Sequence, residues 1–163
     1  MNEQELRVRS QLIPLLNLHL ILPNTAIAEV IAYHEPQPVE EVPDWVIGLT
    51  TWRGLRIPLI SFETASINQA VEIHHRNRII VLNTLRSSDT LPFYAIISQG
   101  IPRLMVLDSS TILDAPNVED EQKFVLRQVL VEGNPAIIPD QNALEQAIAE
   151  LGLSVTQEQA QAV

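Results

Sequence analysis

The residues of this chain that could do chemistry are few, and most are spaced wrongly for it. His74 and His75 are adjacent. Neighbours on a strand point to opposite faces, so a strand could not offer both to one metal. In a loop they could converge, but no third ligand stands nearby at a metal-binding spacing. A solvated linker accounts for the pair more simply. Glu40, Glu41 and Asp44 gather carboxylates, yet acid/base hydrolysis needs two carboxylates at a fixed separation, and a proline-flanked loop holds none rigidly. Trp45 and Trp52 could stack a sugar, although buried or interfacial anchoring is the commoner use of such side chains. The sequence contains no G-x-S-x-G, H-E-x-x-H, Walker or G-x-G-x-x-G pattern. It contains no cysteine, hence no disulfide and no thiolate metal site. These residues predict no catalysis, no cofactor and no metal.

Glu29 and Arg53 differ from the rest. Each interrupts an otherwise apolar run, "IAEVIAY" and "LTTWRGL". Strict alternation puts Ile27, Glu29 and Ile31 on one face of a strand, and Ala28 and Val30 on the other. A carboxylate on such a strand wants a cation, and arginine offers two parallel N–H donors. We expect Glu29 to pair with Arg53 in a partly buried site. Such a pair adds little net stability, but losing one partner strands the other. Its use is to fix the geometry of a loop.

The elements that must position these residues are strands. Short runs rich in Val, Ile, Leu and Thr, bounded by Pro, Gly, Asn or Asp, predict strands at 8–16, 18–23, 27–33, 46–52 and 55–61. A second group is predicted at 77–85, 92–98, 101–107, 124–131 and 134–138. Asn17 marks a tight reversal, and "SQG" at 98–100 and "EGN" at 132–134 carry residues that positive-φ turns favour. Two groups of five suggest two small barrels, which close most sheet edges. Helices are few. A short turn is expected at 61–66. "DQNALEQAIAELG" predicts a helix over 140–152, capped by Asp140, with Leu144, Ala147, Ile148 and Leu151 on one face and Gly152 past its end. "HEPQPVEEVPD" at 34–44 and "DAPNVEDEQ" at 114–122 read as acidic surface loops. Residues 153–163 form a polar segment expected to be flexible.

The 163 residues suit one domain with a real core, and 46% apolar with 18% charged is a globular composition. A net charge of −10 argues against nucleic acid and anionic membranes as partners. The acidic start and the early Arg7 and Arg9 do not resemble a signal peptide, and no apolar run is long enough to span a bilayer. The reading is a cytoplasmic protein without membrane insertion.

At "LPNTAIAEVI" (22–31) and "VPDWVIGLTTWRGLRIPLISF" (42–62) the chain resembles the CheW-like family, the coupling adaptors of bacterial chemosensory systems. The shared landmarks are a Glu on the first strand, then Gly, Arg-Gly and Pro in order and spacing. The resemblance implies an all-β fold: two five-stranded, SH3-like barrels around a shared apolar core, with a C-terminal helix. It implies one domain over 8–152, its first subdomain 8–66 with helix 140–152 and its second 76–139. It implies non-catalytic work, tying a chemoreceptor cytoplasmic tip to the regulatory domain of a CheA-type histidine kinase, with recruitment to membrane-associated arrays.

By the same resemblance, Ile47 and Gly48 match the kinase-facing region. Ile27, Glu29 and Val30 match the wall of a receptor groove. Glu29 and Arg53 match the pair that holds the motif, and all six are candidate partner-binding residues. Arg53 would anchor a turn and Gly54 would let the chain enter the next strand. The chain departs from the family in reading "TWRG" for the usual "NLRG", Ser61-Phe62 for "DL", and "FYAIISQGIPRL" in the second half. Its wording is most similar to the ChpC-type branch, which serves type IV pilus and twitching-motility systems. Two other readings stay open: an adaptor fold binding some other regulator, and a small β-barrel enzyme or sugar-binding module.

Overall fold

The β-branched runs become strands because each can bury at least one face of a pleated surface. The computed structural model describes residues 7–85, 90–115, 122–153 and 156–157. Among them the strands are β1 (Val8–Pro14), β2 (His19–Pro23), β3 (Ile27–Ala32), β4 (Val46–Trp52), β5 (Leu55–Ile60), β6 (Arg78–Asn83), β7 (Phe93–Ser98), β8 (Arg103–Leu107), β9 (Ile112–Asp114), β10 (Val125–Val131), β11 (Asn134–Pro139) and β12 (Thr156–Gln157). The helices are α1 (Phe62–Ile67) and α2 (Gln141–Glu150). The ten predicted strands all exist. The three-residue β9 was too short to read from sequence, and β12 falls in a segment expected to be flexible.

The chain is all-β, in two sheets. The first runs β8-β1-β2-β11-β10-β9 and the second β12-β5-β7-β6-β3, with β4 on β5. In the first sheet, the turn Asp108–Thr111 joins β8 to β9 and draws the two ends of the order together. Asp108 Oδ1 accepts from the amides of Ser110 (2.8 Å) and Thr111 (3.2 Å) there. In the second, the chain leaving β3 lies along β4. Gln37 and Leu49 exchange two backbone hydrogen bonds of 2.8 Å, and Thr50 Oγ1 meets His34 Nε2 at 2.6 Å. Both sheets therefore curl on themselves.

Sheet membership does not follow the expected division into 8–66 and 76–139. The hairpin β1–β2 lies with β8 through β11, and β6 and β7 lie with β3 and β5. The reason is edge satisfaction: β1 pairs antiparallel with β8, and β2 pairs parallel with β11. Each pairing joins residues far apart in sequence, so it leaves no local signal.

Three apolar cores result. Leu12, Ile21, Leu107, Val129, Val131 and Ala136 fill the first sheet. Trp52, Ile57, Leu59, Ile79, Val81, Ala95 and Ile97 fill the second. Between the sheets, Ile13, Leu20 and Leu22 meet Ile60, Phe62, Ile80, Leu82, Tyr94 and Ile96, with Leu144 and Ile148 of α2.

Local signals act as expected at several points. Asn17 has φ 63°, Glu132 and Gly133 have φ 50° and 81°, and Gly152 has φ 72° after α2. Asp140 accepts from the Ala143 amide and Ser61 from that of Thr64. Gly100 has no positive φ. The corner at 98–100 is held instead by the Ser98 hydroxyl, which donates to the Gly100 carbonyl at 2.6 Å. Thr156 and Gln157 pair with Arg56 and Leu55, so this part of the expected flexible tail is a strand. Most of the acidic loop at 114–122 lies outside the described residues. No helix among the described residues is long and apolar enough to cross a membrane.

Candidate functional site

The hairpin β4–β5 turns on only two residues. Arg53 and Gly54 carry φ 48° and 76°, the pair of left-handed conformations that a tight hairpin requires. Glycine takes this without cost, whereas arginine pays for it, so other contacts must hold Arg53 there. Two side chains, Glu29 and Trp52, supply them and are themselves bonded to each other. Arg53 Nε lies 3.7 Å from Glu29 Oε2. Its guanidinium carbon sits 4.9 Å from the centre of the Trp52 ring. The Trp52 indole N–H in turn donates to Glu29 Oε2. Trp52 is only 7% exposed and meets Phe93 edge-on at 4.8 Å.

The ion pair is therefore more exposed than its sequence setting predicts. The Arg53 side chain is 68% exposed and that of Glu29 40%. The indole that ties the two together was invisible to a reading that paired charge with charge.

A bulge decides which way β3 faces. Ile27 sits opposite Leu82 and Glu29 opposite Val81, so Ala28 is the extra residue. Past the bulge, Val30 faces Ile80 and Ile31 faces Ile79. Ile27 and Val30 consequently pack toward the core between the sheets, while Ala28 and Ile31 pack beside Trp52. Strict alternation misplaced Ile27, because one inserted residue inverts the phase. Ile27, Glu29 and Val30 are all half-buried.

At the other end of β4 a second bulge lies between Val46 and Gly48. Ile47 is half-buried and lines a surface groove with Asp44, Ser61, Thr64 and Ile73. Gly48 is buried. A Cβ there would stand 2.4 Å from the Gln37 carbonyl oxygen and 3.2 Å from Pro36 Cβ. The proline-rich segment crosses β4 at this point, and only a residue without a side chain lets it.

Within "DWVIGL" (44–49) Asp44 alone is exposed. The large exposed apolar side chains lie chiefly on the first sheet, at Leu104 and Val106 of β8, Leu113 of β9 and Leu126 of β10.

Two buried acids were also missed. Glu63 of α1 is 2% exposed and accepts from the Leu16 amide in the β1–β2 turn at 3.2 Å. Glu145 of α2 is 3% exposed and accepts from the Leu85 amide after β6 at 2.6 Å. Each acid follows a strand of one sheet and holds a loop belonging to the other. Burial pushes the Glu63 carboxyl up, against the opposing pull of the Leu16 amide, its own amide and the Gln99 side chain. Burial also raises the Tyr94 phenol, and the nearby Glu145 charge adds to it. Their only sequence signal is that Glu145 falls beside Leu144 on the apolar side of α2.

His74 and His75 meet edge-on at 6.4 Å in the link before β6. Among the described residues no group of three His, Cys, Asp or Glu side chains could share a metal ion. The arrangement offers a rigid hairpin, a half-exposed edge strand and a groove, which are parts for docking.

Residues 14–149 match the model of the CheW-like domain. The chain belongs to the CheW-like family. Its family is one of chemotaxis coupling adaptors without catalytic chemistry. Among solved structures it is similar to the scaffolding protein TtCheW from Thermoanaerobacter tengcongensis, with a TM-score of 0.67 and 18% identity over 85% of this chain and 88% of that one. At that identity the likeness speaks for the fold. No protein of curated function matches the sequence significantly. The sheets and the C-terminal helix are those of a CheW-like fold, as the resemblance implied.

Proposed function

We propose that this protein is the coupling adaptor between a chemoreceptor cytoplasmic tip and the regulatory domain of a CheA-type histidine kinase, working in the cytoplasm at a chemosensory array. The observation that carries the reading is the match to the CheW-like domain over 14–149, joined to the geometry at Glu29, Trp52 and Arg53. A docking hairpin must keep its shape when the partner leaves, and this turn is tied by three side chains rather than by mobile solvent contacts. In this reading Glu29 and Arg53 face the receptor, Ile27 and Val30 offer it only their half-buried edge of β3, and Ile47 faces the kinase. Gly48 serves by keeping Pro36–Gln37 against β4. The folded adaptor unit is 8–152. The wording of the 42–62 motif favours service in a type IV pilus, twitching-motility cluster of the ChpC kind.

The test is titration calorimetry with the isolated kinase regulatory domain and a receptor-tip fragment from the same cell. Interfaces of this kind draw most of their energy from a few central residues. Ile47→Asp should abolish kinase binding with the fold intact by circular dichroism. Ile27→Asp should weaken receptor binding more than kinase binding. If both folded variants bind both partners like the parent, these surfaces are not the interfaces, and binding of a different regulator becomes the better account.

A further inference from the structure

We infer that Trp52 is a positioning residue for partner recognition: its indole sets the Arg53 guanidinium outward as a ready fork for a carboxylate of the receptor tip. The inference rests on the adaptor reading and adds to it a residue that a charge-pairing view passes over. The resemblance expects an aliphatic side chain here, within "NLRG". This chain has "TWRG".

The indole does two things that an aliphatic side chain cannot. Its face carries the guanidinium carbon 4.9 Å from the ring centre, a cation–π contact. Its N–H engages the same Glu29 oxygen that approaches Arg53 Nε, so the acid is fixed from one side while it holds the base from the other. The ring itself cannot swing, being 7% exposed and braced by Phe93. The turn adds a further constraint, with Arg53 at φ 48°.

What remains unengaged is informative. The contact with Glu29 is made by Nε, and among the described residues no hydrogen bond or ion pair engages the two terminal nitrogens of this largely exposed side chain. A guanidinium held by its Nε edge and its flat face presents those terminal donors to whatever docks. The geometry they fit is a carboxylate, bound through parallel N–H donors. In a chain of net charge −10, an exposed arginine whose carboxylate partner sits at its Nε side gives an acidic partner group a donor edge in an otherwise acidic surface. Because the fork is already ordered, binding loses less side-chain freedom than for a free arginine.

The experiment compares the parent with Trp52→Leu, Trp52→Phe, Arg53→Lys and Arg53→Ala. Affinity for the receptor-tip fragment is measured by calorimetry, and order of the Arg53 Nε–H bond by 15N relaxation. Folding is checked by circular dichroism. Arg53→Ala should lose affinity roughly tenfold or more, and Trp52→Leu roughly three- to tenfold, on the scale of a stacked cation. In Trp52→Leu the Arg53 Nε–H bond should become mobile. Trp52→Phe, which restores a ring face, should recover most of both. Arg53→Lys should bind as poorly as Arg53→Ala, since it keeps charge and loses the fork.

If folded Trp52→Leu binds like the parent while Arg53→Ala does not, the positioning role is refuted and the docking surface stands. If Arg53→Ala binds like the parent while Ile27→Asp does not, the fork is not used and the inference fails alone. If the parent itself does not bind the receptor tip, the adaptor reading fails first. Should Trp52→Leu not fold, Trp52→Phe and Arg53→Lys decide the matter: full binding by Arg53→Lys overturns the proposal.

Discussion

Replacing Gly48 by alanine should do more damage than any comparable change on the surface of this protein. The added Cβ would stand 2.4 Å from the carbonyl oxygen of Gln37 and 3.0 Å from its carbonyl carbon. Carbon and carbonyl oxygen settle at about 3.3 Å or more, so the two backbones must part by close to an ångström. Neither atom is the free end of a flexible side chain. The separation breaks the bridge in which Gln37 and Leu49 exchange two hydrogen bonds of 2.8 Å. At about 1 kcal/mol each, with some strain added, the loss is roughly 2–3 kcal/mol. For a domain of this size that lowers Tm by about 5–10 °C. Urea denaturation with an unchanged m value would measure the loss. Hydrogen exchange of the Gln37 and Leu49 amides would locate it, since both should lose protection while β6 and β7 keep theirs. An alanine variant within about 0.5 kcal/mol of the parent, with both amides still protected, would refute the reasoning.

Three further outcomes follow from the same geometry. Arg53→Ala should cost only about 0–1 kcal/mol of stability, because a pair this exposed is screened by water and salt, and a double-mutant cycle with Glu29→Ala should give a coupling within that range. Trp52→Ala should cost about 3–5 kcal/mol, since it empties a core beside Phe93 and strips Glu29 of its N–H donor, and thermal unfolding would show it. Glu63 gives a pH dependence. Its carboxyl is raised in the folded protein, chiefly by burial, so the native state holds the proton more tightly than the unfolded chain, where carboxyls titrate near 4.3. Its contribution is full below that ordinary value and is lost as pH rises through the raised one. Glu63→Gln, which keeps an acceptor for the Leu16 amide, should therefore gain on the parent as pH rises, and an equal gap at pH 4 and pH 8 would contradict the assignment.

Residues whose signal is local were readable from sequence. Arg53-Gly54 announced a two-residue turn, Asp140 a helix cap and Gly152 a helix end, because each depends on backbone chemistry within a few positions. The Glu29–Arg53 contact was readable because two charges interrupted two apolar runs. What failed was phase, partner and depth. The bulge at Ala28 inverts the face of Ile27, and nothing in "IAEVIA" marks it. The β2–β11 pairing joins segments more than a hundred residues apart, so the sheets cut across a division drawn along the chain. The approach of the Gln37 carbonyl to Gly48 was hidden because it arrives from a loop with no defined path in the sequence. The burial of Glu63 and Glu145 left no local signal, because it depends on which loop of the other sheet they meet. Trp52 was weighed as an anchor or a sugar platform, and its role as the shared partner of Glu29 and Arg53 needed three dimensions.

In the proposed function one molecule of this chain engages receptor and kinase together. The direct measurement is calorimetric titration of the kinase regulatory domain into the protein, first alone and then saturated with the receptor-tip fragment. A coupling adaptor should show saturable one-to-one binding in both titrations, and a ternary complex that elutes as a single species on size-exclusion chromatography. Failure to bind either domain, or displacement of the receptor fragment by the kinase domain, would contradict that function.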